Sequence, residues 1–270
     1  MAFFLLAPVA VVIYESLTPS ALVNATGLSL ANYVHYFGTF FYYDAILETL
    51  KLAVSATVLS VLIGYGASLV LRRVTHIFGS TAVLLLAFPI MAGPMATVMG
   101  WMVLMTSDGA ASQVARFILQ LLGFGNGQVI LLGSDPAVII GMVQFNLPFV
   151  ILNILPVLLG IDPTLESAAT DLGAGRWSTF WHVTRPLSMQ GVYSAALISF
   201  ALSLSSYLSP LFLGNRSRQV LTTQIGLLMQ TPGTLQFAAT ASVVLLAMSA
   251  VVLVLYVVGL ARSFRGMDLL

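Results

Sequence analysis

Residues 48–73 read ETLKLAVSATVLSVLIGYGASLVLRR, and the apolar run 45–71, which overlaps them, is long enough to cross a membrane. A membrane-spanning helix needs about 20 predominantly apolar residues. Further runs of this kind, or nearly so, occur along the whole chain. We predict about six spans, at roughly 2–18, 45–71, 77–104, 137–159, 188–213 and 238–261. The predicted fold is therefore an all-α integral membrane protein with one domain over residues 1–270.

Composition supports the membrane assignment and excludes several classes of protein. Hydrophobic residues make up 59% of the chain and charged residues 7%, whereas soluble proteins carry about 25% charged residues. The mean hydropathy of +1.01 agrees. A net charge of +1 gives no basic face for nucleic acid. The absence of cysteine excludes disulfides, thiolate chemistry and cysteine-based metal sites.

Basic residues in the loops predict the orientation of the chain. One side carries six of them and the other side four, which places both termini and the 160–187 loop in the cytoplasm. The two sets are Arg72, Arg73, Arg176, Arg185, Arg262 and Arg265 against Lys51, Arg116, Arg216 and Arg218. The first apolar run lacks the basic start and cleavage site of a signal peptide, so we predict a span there. Because the run is short, we expect the natural chain to begin before Met1.

The 160–187 loop, GIDPTLESAATDLGAGRWSTFWHVTRPL, predicts two short helices between two spans. Asp162 followed by Pro163 combines an N-cap acceptor with a proline at the first helical position. Gly173 and Gly175 are expected to end this helix. A second helix is predicted over Trp177 to Val183, before Pro186 at the entry to the next span.

The first of these helices carries a narrow apolar stripe. Leu165, Ala168, Ala169 and Leu172 follow at helical spacing, while Glu166, Thr170 and Asp171 lie off the stripe. A small-residue face of this kind on the basic side fits docking into a groove of another protein. The alternative is a connector that packs against its own chain.

The loop resembles the EAA loop of binding-protein-dependent ABC importer permeases. That pattern is E-A-A, three residues, G, nine residues, then I-x-L-P. Ala168, Ala169, Gly173 and Pro186 match it at the family spacing, and Val183 stands for the isoleucine. The resemblance extends over nearly the whole chain, through 27–37, 48–73 and 201–214, and is closest to permeases of the spermidine/putrescine type.

Two positions depart from the family pattern. Ser167 occupies the place of the motif glutamate, with Glu166 one residue earlier, and Arg185 replaces the leucine. Whether Glu166 takes over the role of the motif glutamate is left open by the sequence.

The resemblance implies a permease subunit of the bacterial inner membrane that moves a small solute, such as a polyamine, from periplasm to cytoplasm. It implies two ATP-binding partner subunits, a second permease subunit that is a paralogue, and a periplasmic substrate-binding protein. No cofactor, metal or catalytic residue is expected in this chain. The predicted ATPase-coupling residues are Leu165, Glu166, Ser167, Ala168, Ala169, Asp171, Leu172, Gly173, Phe180, Val183 and Pro186.

Polar residues within the predicted spans indicate a translocation pathway. Pore-lining helices need polar groups that face away from lipid. The candidates are Ser199, Ser203, Ser206 and Tyr207 in the fifth span and Asn146 and Asn153 in the fourth. Small-residue packing between helices favours serine equally well, and is the alternative.

The stretch 111–122 predicts a short amphipathic helix at the outer membrane surface, with an ordinary packed loop helix as the alternative. Its apolar positions are Val114, Phe117, Ile118, Leu121 and Leu122, and the opposite face holds Gln113, Arg116 and Gln120.

Two other classes of membrane protein predict residues that a permease does not need. A self-sufficient secondary transporter or channel predicts ionisable residues within the spans, and none occurs at mid-span. An intramembrane enzyme predicts a nucleophile and a base at membrane depth, but His35, His76 and His182 all lie outside the predicted spans. The sequence contains no G-x-x-x-x-G-K-[ST], so ATP hydrolysis is expected in another chain.

Overall fold

The computed structural model describes residues 2–23, 27–121, 123, 130–215 and 219–265, with side chains described outside 2–5, 74–89, 255 and 257–265. The regular elements in these residues are helical, as the sequence predicts. In chain order they are α1 (Ala2–Leu17), α2 (Ala31–Gly38), α3 (Phe40–Met91), α4 (Pro94–Leu104), α5 (Ala110–Leu121), α6 (Asp135–Leu159), α7 (Pro163–Asp171), α8 (Arg176–Thr179), a π-helical turn (Phe180–Thr184), α9 (Arg185–Leu204), α10 (Leu208–Leu213), α11 (Leu221–Gln230) and α12 (Leu235–Arg265).

Four stretches of the described residues form helices long and apolar enough to cross a membrane. They are Phe40–Arg73, Asp135–Leu159, Arg176–Leu204 and Leu235–Val254, with shorter apolar helices at Leu6–Leu17 and Pro94–Leu104. The all-α membrane fold is therefore confirmed, and the number of six spans stays a prediction.

Helix α3 departs from the predicted pattern because it continues through 72–76, where a connector between two spans is expected. Residues 67–78 contain no glycine or proline, so no residue there favours a helix end. In the predicted third span, 77–104, the side chains of 77–89 lie outside the described residues. A break at Gly93, which has a φ of 80°, divides the rest of this span. Helix α3 ends before it at Met91, and α4 starts after it at Pro94.

Helices α3, α6 and α9 pack against one another at the centre of the molecule. Val150, Ile154 and Leu158 of α6 have no exposed surface, and Tyr65 of α3 packs against them. The approach of α3 to α6 is closest at Gly64, where an added Cβ would lie 2.5 Å from Cγ1 of Val150. A side chain at Gly64 would therefore force the two helices apart.

Two ion-paired sites lie at either end of one apolar stretch of α3, residues 52–71. Near its start, Lys51 pairs with Asp135 at the first turn of α6 and, at 3.2 Å, with Glu48. Farther along, Arg72 pairs with Glu166 at 2.7 Å. The interval along the helix axis is about 31 Å at 1.5 Å per residue, and no charged residue lies within it. Helices α3 and α6 therefore run in the same direction between two charged ends.

A second group of helices, α1, α2, α11 and α12, packs beside this core. Its centre is a cluster formed by Tyr36, Leu221, Phe237 and Ala241, all without exposed surface. The Tyr36 hydroxyl donates to Oε1 of Gln224 at 2.9 Å and joins α2 to α11. Both of these helices lie in stretches predicted to be loops, because eight and ten residues of mixed polarity give too weak a periodic pattern.

Candidate functional site

The 160–187 loop starts with a capped helix, as predicted. Asp162 is the N-cap of α7, and its carboxylate accepts a hydrogen bond from the Thr164 N–H at 2.9 Å. Pro163 occupies the first helical position, where no donor is needed. The hydrogen bond from the Thr164 backbone holds the pKa of Asp162 below its usual value. The cap is therefore negatively charged at the positive end of the helix dipole.

The end of α7 is also confirmed at Gly173. The Gly173 N–H donates to the Thr170 carbonyl at 2.9 Å, and the Ala174 N–H donates to the Ala169 carbonyl at 3.0 Å. These two bonds form a Schellman motif. Gly173 has a φ of 89°, in the left-handed region that favours glycine. The second predicted glycine, Gly175, serves instead as the N-cap residue of α8.

The apolar stripe of α7 is open to its surroundings. None of the residues Pro163–Asp171 is buried. Leu165 is 47% exposed and Leu172 is 90% exposed, while Ala168 is exposed and Ala169 is half-buried. A connector packed against its own chain would bury this stripe, and the structure leaves it exposed.

The second predicted helix of the loop is present in two parts, α8 and the π-helical turn. The Phe180 ring lies against the rings of Trp177 and Trp181, with centroid distances of 5.9 and 5.7 Å, and reaches Tyr65 of α3 at 6.2 Å. Pro186 has no N–H for the carbonyl four residues earlier, and the wider π-helical turn ends just before it. Trp177 is 73% exposed and extends the open apolar surface beyond α7.

The remaining predicted coupling residues have simple surroundings. The Ser167 hydroxyl, at the position of the motif glutamate, donates to the Pro163 carbonyl within α7 at 3.1 Å. Asp171 is exposed, Val183 is half-buried in the π-helical turn, and Pro186 is exposed at the start of α9.

Glu166 is turned toward its own chain. Its Oε1 accepts hydrogen bonds from Nη1 of Arg72 at 2.7 Å and from the hydroxyl of Thr184 at 2.9 Å. Partial burial raises the pKa of Glu166, but the bonds from Arg72 and Thr184 and the charges of Arg72 and Arg73 outweigh it. The net pKa lies below the usual value. The carboxylate therefore stays ionised at neutral pH and joins α7 to α3 and to the π-helical turn.

Three of the predicted pathway residues meet between α6 and α9. Nδ2 of Asn146 donates to the Ser203 hydroxyl at 2.8 Å and approaches the Ser199 carbonyl at 3.4 Å. Asn146, Ser199 and Ser203 are 1%, 0% and 2% exposed. In this structure they occupy the helix contact that the packing alternative describes. Asn153 is half-buried and donates to the Phe149 carbonyl within α6.

The other predicted pathway residues, Ser206 and Tyr207, line a cavity of about 310 Å³. The cavity lies between α4, α6 and the segment that joins α9 to α10. Its polar and aromatic lining includes Thr97, Gln144, Phe145, Ser205, Ser206 and Tyr207. The described lining residues include no charged side chain, so the cavity offers hydroxyl, amide and ring groups to a solute.

The cavity exists because the predicted fifth span, 188–213, is broken. Helix α9 ends at Leu204 and α10 begins at Leu208. Pro210 cannot donate a hydrogen bond to the carbonyl of Ser206, so that carbonyl has no partner within a continuing helix. The hydroxyl of Thr222 in α11 donates to it at 2.7 Å instead. Helix α11 also packs against Tyr207. A Cβ added at Gly226 of α11 would lie 2.9 Å from the Tyr207 ring.

The amphipathic helix predicted over 111–122 is present as α5. Val114, Phe117, Ile118 and Leu121 are between 49% and 78% exposed, whereas Leu122 lies outside the described residues. On the polar face, Arg116 and Gln113 donate to backbone carbonyls of residues 107 and 108. The position of this helix at the outer membrane surface stays a prediction.

Sequence reasoning missed the partners of the coupling residues and of the pathway break. Arg72 and Thr184 were not linked to Glu166, and Thr222 was not linked to Ser206. The sequence signals at these places are the basic pair Arg72–Arg73 and the proline at 210. Neither of them predicts which residue forms the contact.

The chain matches a family and several known proteins. The sequence profile of the family described as "binding-protein-dependent transport system inner membrane component" matches residues 56–264. The spermidine/putrescine transport system permease protein PotB of Escherichia coli (strain K12) is 27% identical over 157 residues, 58% of this chain and 56% of that protein. The inner membrane ABC transporter permease protein YdcU of the same strain is 30% identical over 187 residues, 64% of this chain and 58% of that protein. The matched region thus spans little more than half of these two relatives.

A third relative and a solved structure extend the comparison. The molybdenum transport system permease protein ModB of Mycobacterium bovis is 27% identical over 209 residues, 77% of this chain and 76% of that protein. A chain in the crystal structure of a bacterial ABC transporter involved in the import of the acidic polysaccharide alginate superposes with a TM-score of 0.70. The superposition covers 97% of this chain and 90% of that chain at 18% identity, which speaks for a shared fold.

Proposed function

The chain belongs to the family of binding-protein-dependent transport system inner membrane components, and from that premise we propose that its 160–187 loop couples solute import to an ATPase carried by partner chains. The observation that carries the proposal is the open apolar stripe of α7, with Leu172 at 90% exposure. The stripe lies on a helix whose two ends are capped, by the Asp162 side chain and by the turn at Gly173. A capped, exposed and weakly polar helix fits a groove on another protein.

The position of α7 in the chain supports a role in force transmission. It follows the last residue of α6 and precedes α9, and both of these helices pack against α3 in the core. Displacement of α7 by a partner therefore acts on the helices beside the cavity. Coupling of this kind requires packed elements with two discrete arrangements.

The partners follow from what the chain lacks and from its relatives. No phosphate-binding G-x-x-x-x-G-K-[ST] sequence is present, so ATP is hydrolysed by two separate subunits in this proposal. A paralogous permease completes the pore, and a periplasmic binding protein delivers the solute. The termini and the 160–187 loop face the cytoplasm, in keeping with the six basic residues on that side.

We propose a small polar solute of the polyamine type. The support is the likeness to the spermidine/putrescine permease PotB, together with hydroxyl, amide and aromatic groups that line the cavity beside apolar residues. Aromatic faces and hydroxyl oxygens attract ammonium groups without binding them tightly. Uptake of labelled spermidine by cells with and without the chain tests this substrate, with labelled molybdate as the competing assignment.

Co-purification with the ATPase subunits tests the coupling function itself. The full complex is expressed with the wild-type chain, with Gly173→Trp and with Gly38→Trp, and the bound ATPase and its ATP hydrolysis are measured. Gly38 is a matched control, because it is exposed, has no atom within 4 Å of an added Cβ and lies in α2, outside the loop.

We expect the ATPase to be retained by wild type and by Gly38→Trp, and to be lost or uncoupled in Gly173→Trp. A chain that purifies without an ATPase, or an association indifferent to the change at Gly173, would refute the coupling assignment. That result would favour a self-sufficient secondary transporter or channel.

A further inference from the structure

The helix that carries the docking stripe has little to hold it in place. Of the residues in α7, all of which are described, none is buried and only Glu166 and Ala169 are half-buried. The neighbours of α7 are α8 and the π-helical turn. Since exposed apolar residues give no packing energy within the chain, the orientation of α7 depends on its polar contacts.

Among the polar contacts of α7, the one made by Glu166 joins the residues that are farthest apart in the chain. A single oxygen, Oε1, receives Nη1 of Arg72 at 2.7 Å and the Thr184 hydroxyl at 2.9 Å. Arg72 lies 94 residues earlier in α3, and Thr184 lies in the π-helical turn that leads into α9. One carboxylate therefore connects the exposed helix to both of the core helices that pack against α6.

The direction of the Glu166 side chain separates two roles for it. A glutamate that contacts an ATPase would point outward with Leu165 and Leu172, which are 47% and 90% exposed. The Glu166 side chain is instead 32% exposed, and its partner Arg72 is 18% exposed. The outward position at the next residue is taken by Ser167, whose hydroxyl is bonded within α7.

We propose that Glu166 is a positioning residue that latches α7 to α3 and α9 within this chain, rather than a contact with the ATPase. The latch consists of Glu166, Arg72 and Thr184. When α7 is displaced, the latch transfers the displacement to α3 and to the start of α9 together. The proposal rests on the coupling function proposed above, and it assigns the transfer step to this carboxylate.

Transport per ATP hydrolysed is the measurement that tests the latch. The full complex is reconstituted in liposomes, and solute uptake and ATP hydrolysis are measured on the same sample. We expect Glu166→Gln and Arg72→Gln each to lower the uptake per ATP about threefold to tenfold. Bound ATPase should stay at the wild-type level, because the docking stripe is intact and a half-exposed ion pair adds little to overall stability.

Four further variants separate the latch from a general structural effect. Arg73→Gln is the matched control, since it removes an equal charge one residue away while the bond from Arg72 remains. The charge-reversed pair Glu166→Arg with Arg72→Glu should recover at least half of the lost coupling. Thr184→Ser should keep the coupling and Thr184→Val should lower it, because only serine retains the hydroxyl.

A distance measurement reports the latch directly. The chain contains no cysteine, so Thr170→Cys in α7 and Val70→Cys in α3 create a single pair of spin-label sites in a complex whose partner chains are made cysteine-free. The distance distribution should be narrow in the otherwise wild-type complex and broad when Arg72→Gln is added.

The outcomes are distinguishable. A wild-type chain that retains no ATPase refutes the proposed function. If the ATPase binds and Glu166→Gln releases it while Arg72→Gln changes nothing, Glu166 contacts the ATPase and the latch is refuted. A charge-reversed pair no better than the single variants, or a distance distribution unchanged by Arg72→Gln, also refutes the latch.

Discussion

The core helices α3, α6 and α9 and the 160–187 loop are adjacent in the chain but are stabilised in opposite ways. In the core, Val150, Ile154 and Leu158 are fully buried, and a glycine lets α3 and α6 approach closely. In the loop, Leu172 and Trp177 are 90% and 73% exposed, and α7 has no buried residue. The contact of these core helices is therefore packed within this chain, whereas the loop leaves its apolar surface exposed.

Polar groups follow the same division. The Asn146–Ser203 bond in the core is fully enclosed by α6 and α9. The Glu166–Arg72 pair in the loop is partly open to solvent. A buried polar bond holds one arrangement of the helices, and a half-exposed ion pair is weak enough to exchange. The difference indicates a rigid frame that carries a movable contact.

The largest effect is expected where the core is most tightly packed. Gly64→Leu should lower the free energy of unfolding by about 3 kcal/mol, because the added side chain meets Val150 and overpacks the contact. Gly66→Leu, two residues away with no atom within 4 Å of an added Cβ, should be close to neutral. Thermal unfolding of the full chain in detergent measures both. Equal loss in the two variants would contradict the close approach of α3 and α6.

A backbone substitution in the loop should act on partner binding and leave the core unchanged. Gly173→Ala costs about 1–2 kcal/mol because alanine is strained at a φ in the left-handed region. Because the exposed end of α7 can relax in the free chain, the strain is met on binding: the affinity for the ATPase subunits should fall about fivefold to thirtyfold, with the melting temperature of the chain retained. Gly175→Ala is the control, since Gly175 has a φ of −69°. A similar fall in affinity for both variants would show that side-chain bulk, rather than backbone geometry, matters.

Removal of the Asn146–Ser203 hydrogen bond in the core should have a smaller effect than the two glycine substitutions. Ser203→Ala leaves Asn146 with only the longer contact to the Ser199 carbonyl, and should destabilise the chain by about 0.6–1.7 kcal/mol. Asn153→Ala removes a bond that stays within α6 and should cost less. Urea or thermal unfolding compares the two. A larger loss for Asn153→Ala would mean that the contact between α6 and α9 does not depend on this bond.

The smallest effect on stability is expected for the ion pair of the loop. Glu166→Gln should lower the free energy of unfolding by about 0.5–1 kcal/mol at pH 7. Because the folded pKa of Glu166 is depressed, this contribution is present above the unfolded pKa of about 4.3 and is lost as the pH falls through the folded pKa. We measure the melting temperatures of wild type and of Glu166→Gln at pH 7 and at about pH 3.5. The difference between them should be smaller at the lower pH. A difference that persists in acid would have another cause.

The parts of the structure that depend on local sequence were predictable. Asp162–Pro163 and Gly173 set the limits of α7 through capping and through a left-handed turn, which involve residues only a few positions apart. The all-α membrane fold follows from the length of the apolar runs. The same reasoning fails at 72–76. A polar cluster there predicts a connector between two spans, but arginine and histidine are compatible with a helix, and α3 continues through them.

Contacts between distant residues were not predictable from one sequence. The spacing of Ser199 and Ser203 shows that they share a helix face, but not whether that face meets a cavity or α6. Glu166 and Arg72 are 94 residues apart, and no local pattern joins them. Only the folded chain brings these groups together, so one sequence predicts neither the cavity lining nor the Glu166–Arg72 contact.

The two ion pairs that bound residues 51–72 of α3 also indicate the thickness of bilayer that suits this protein. Their separation of about 31 Å matches a hydrocarbon core of about 30 Å. In a thicker bilayer, hydrophobic mismatch would draw one charged end toward the acyl chains, at a cost of a fraction of a kcal/mol per Å. One of those ends is the Glu166–Arg72 pair, so lipid thickness strains the contact that joins the loop to the core. Acyl-chain length is therefore expected to alter turnover even when solute and ATP are saturating.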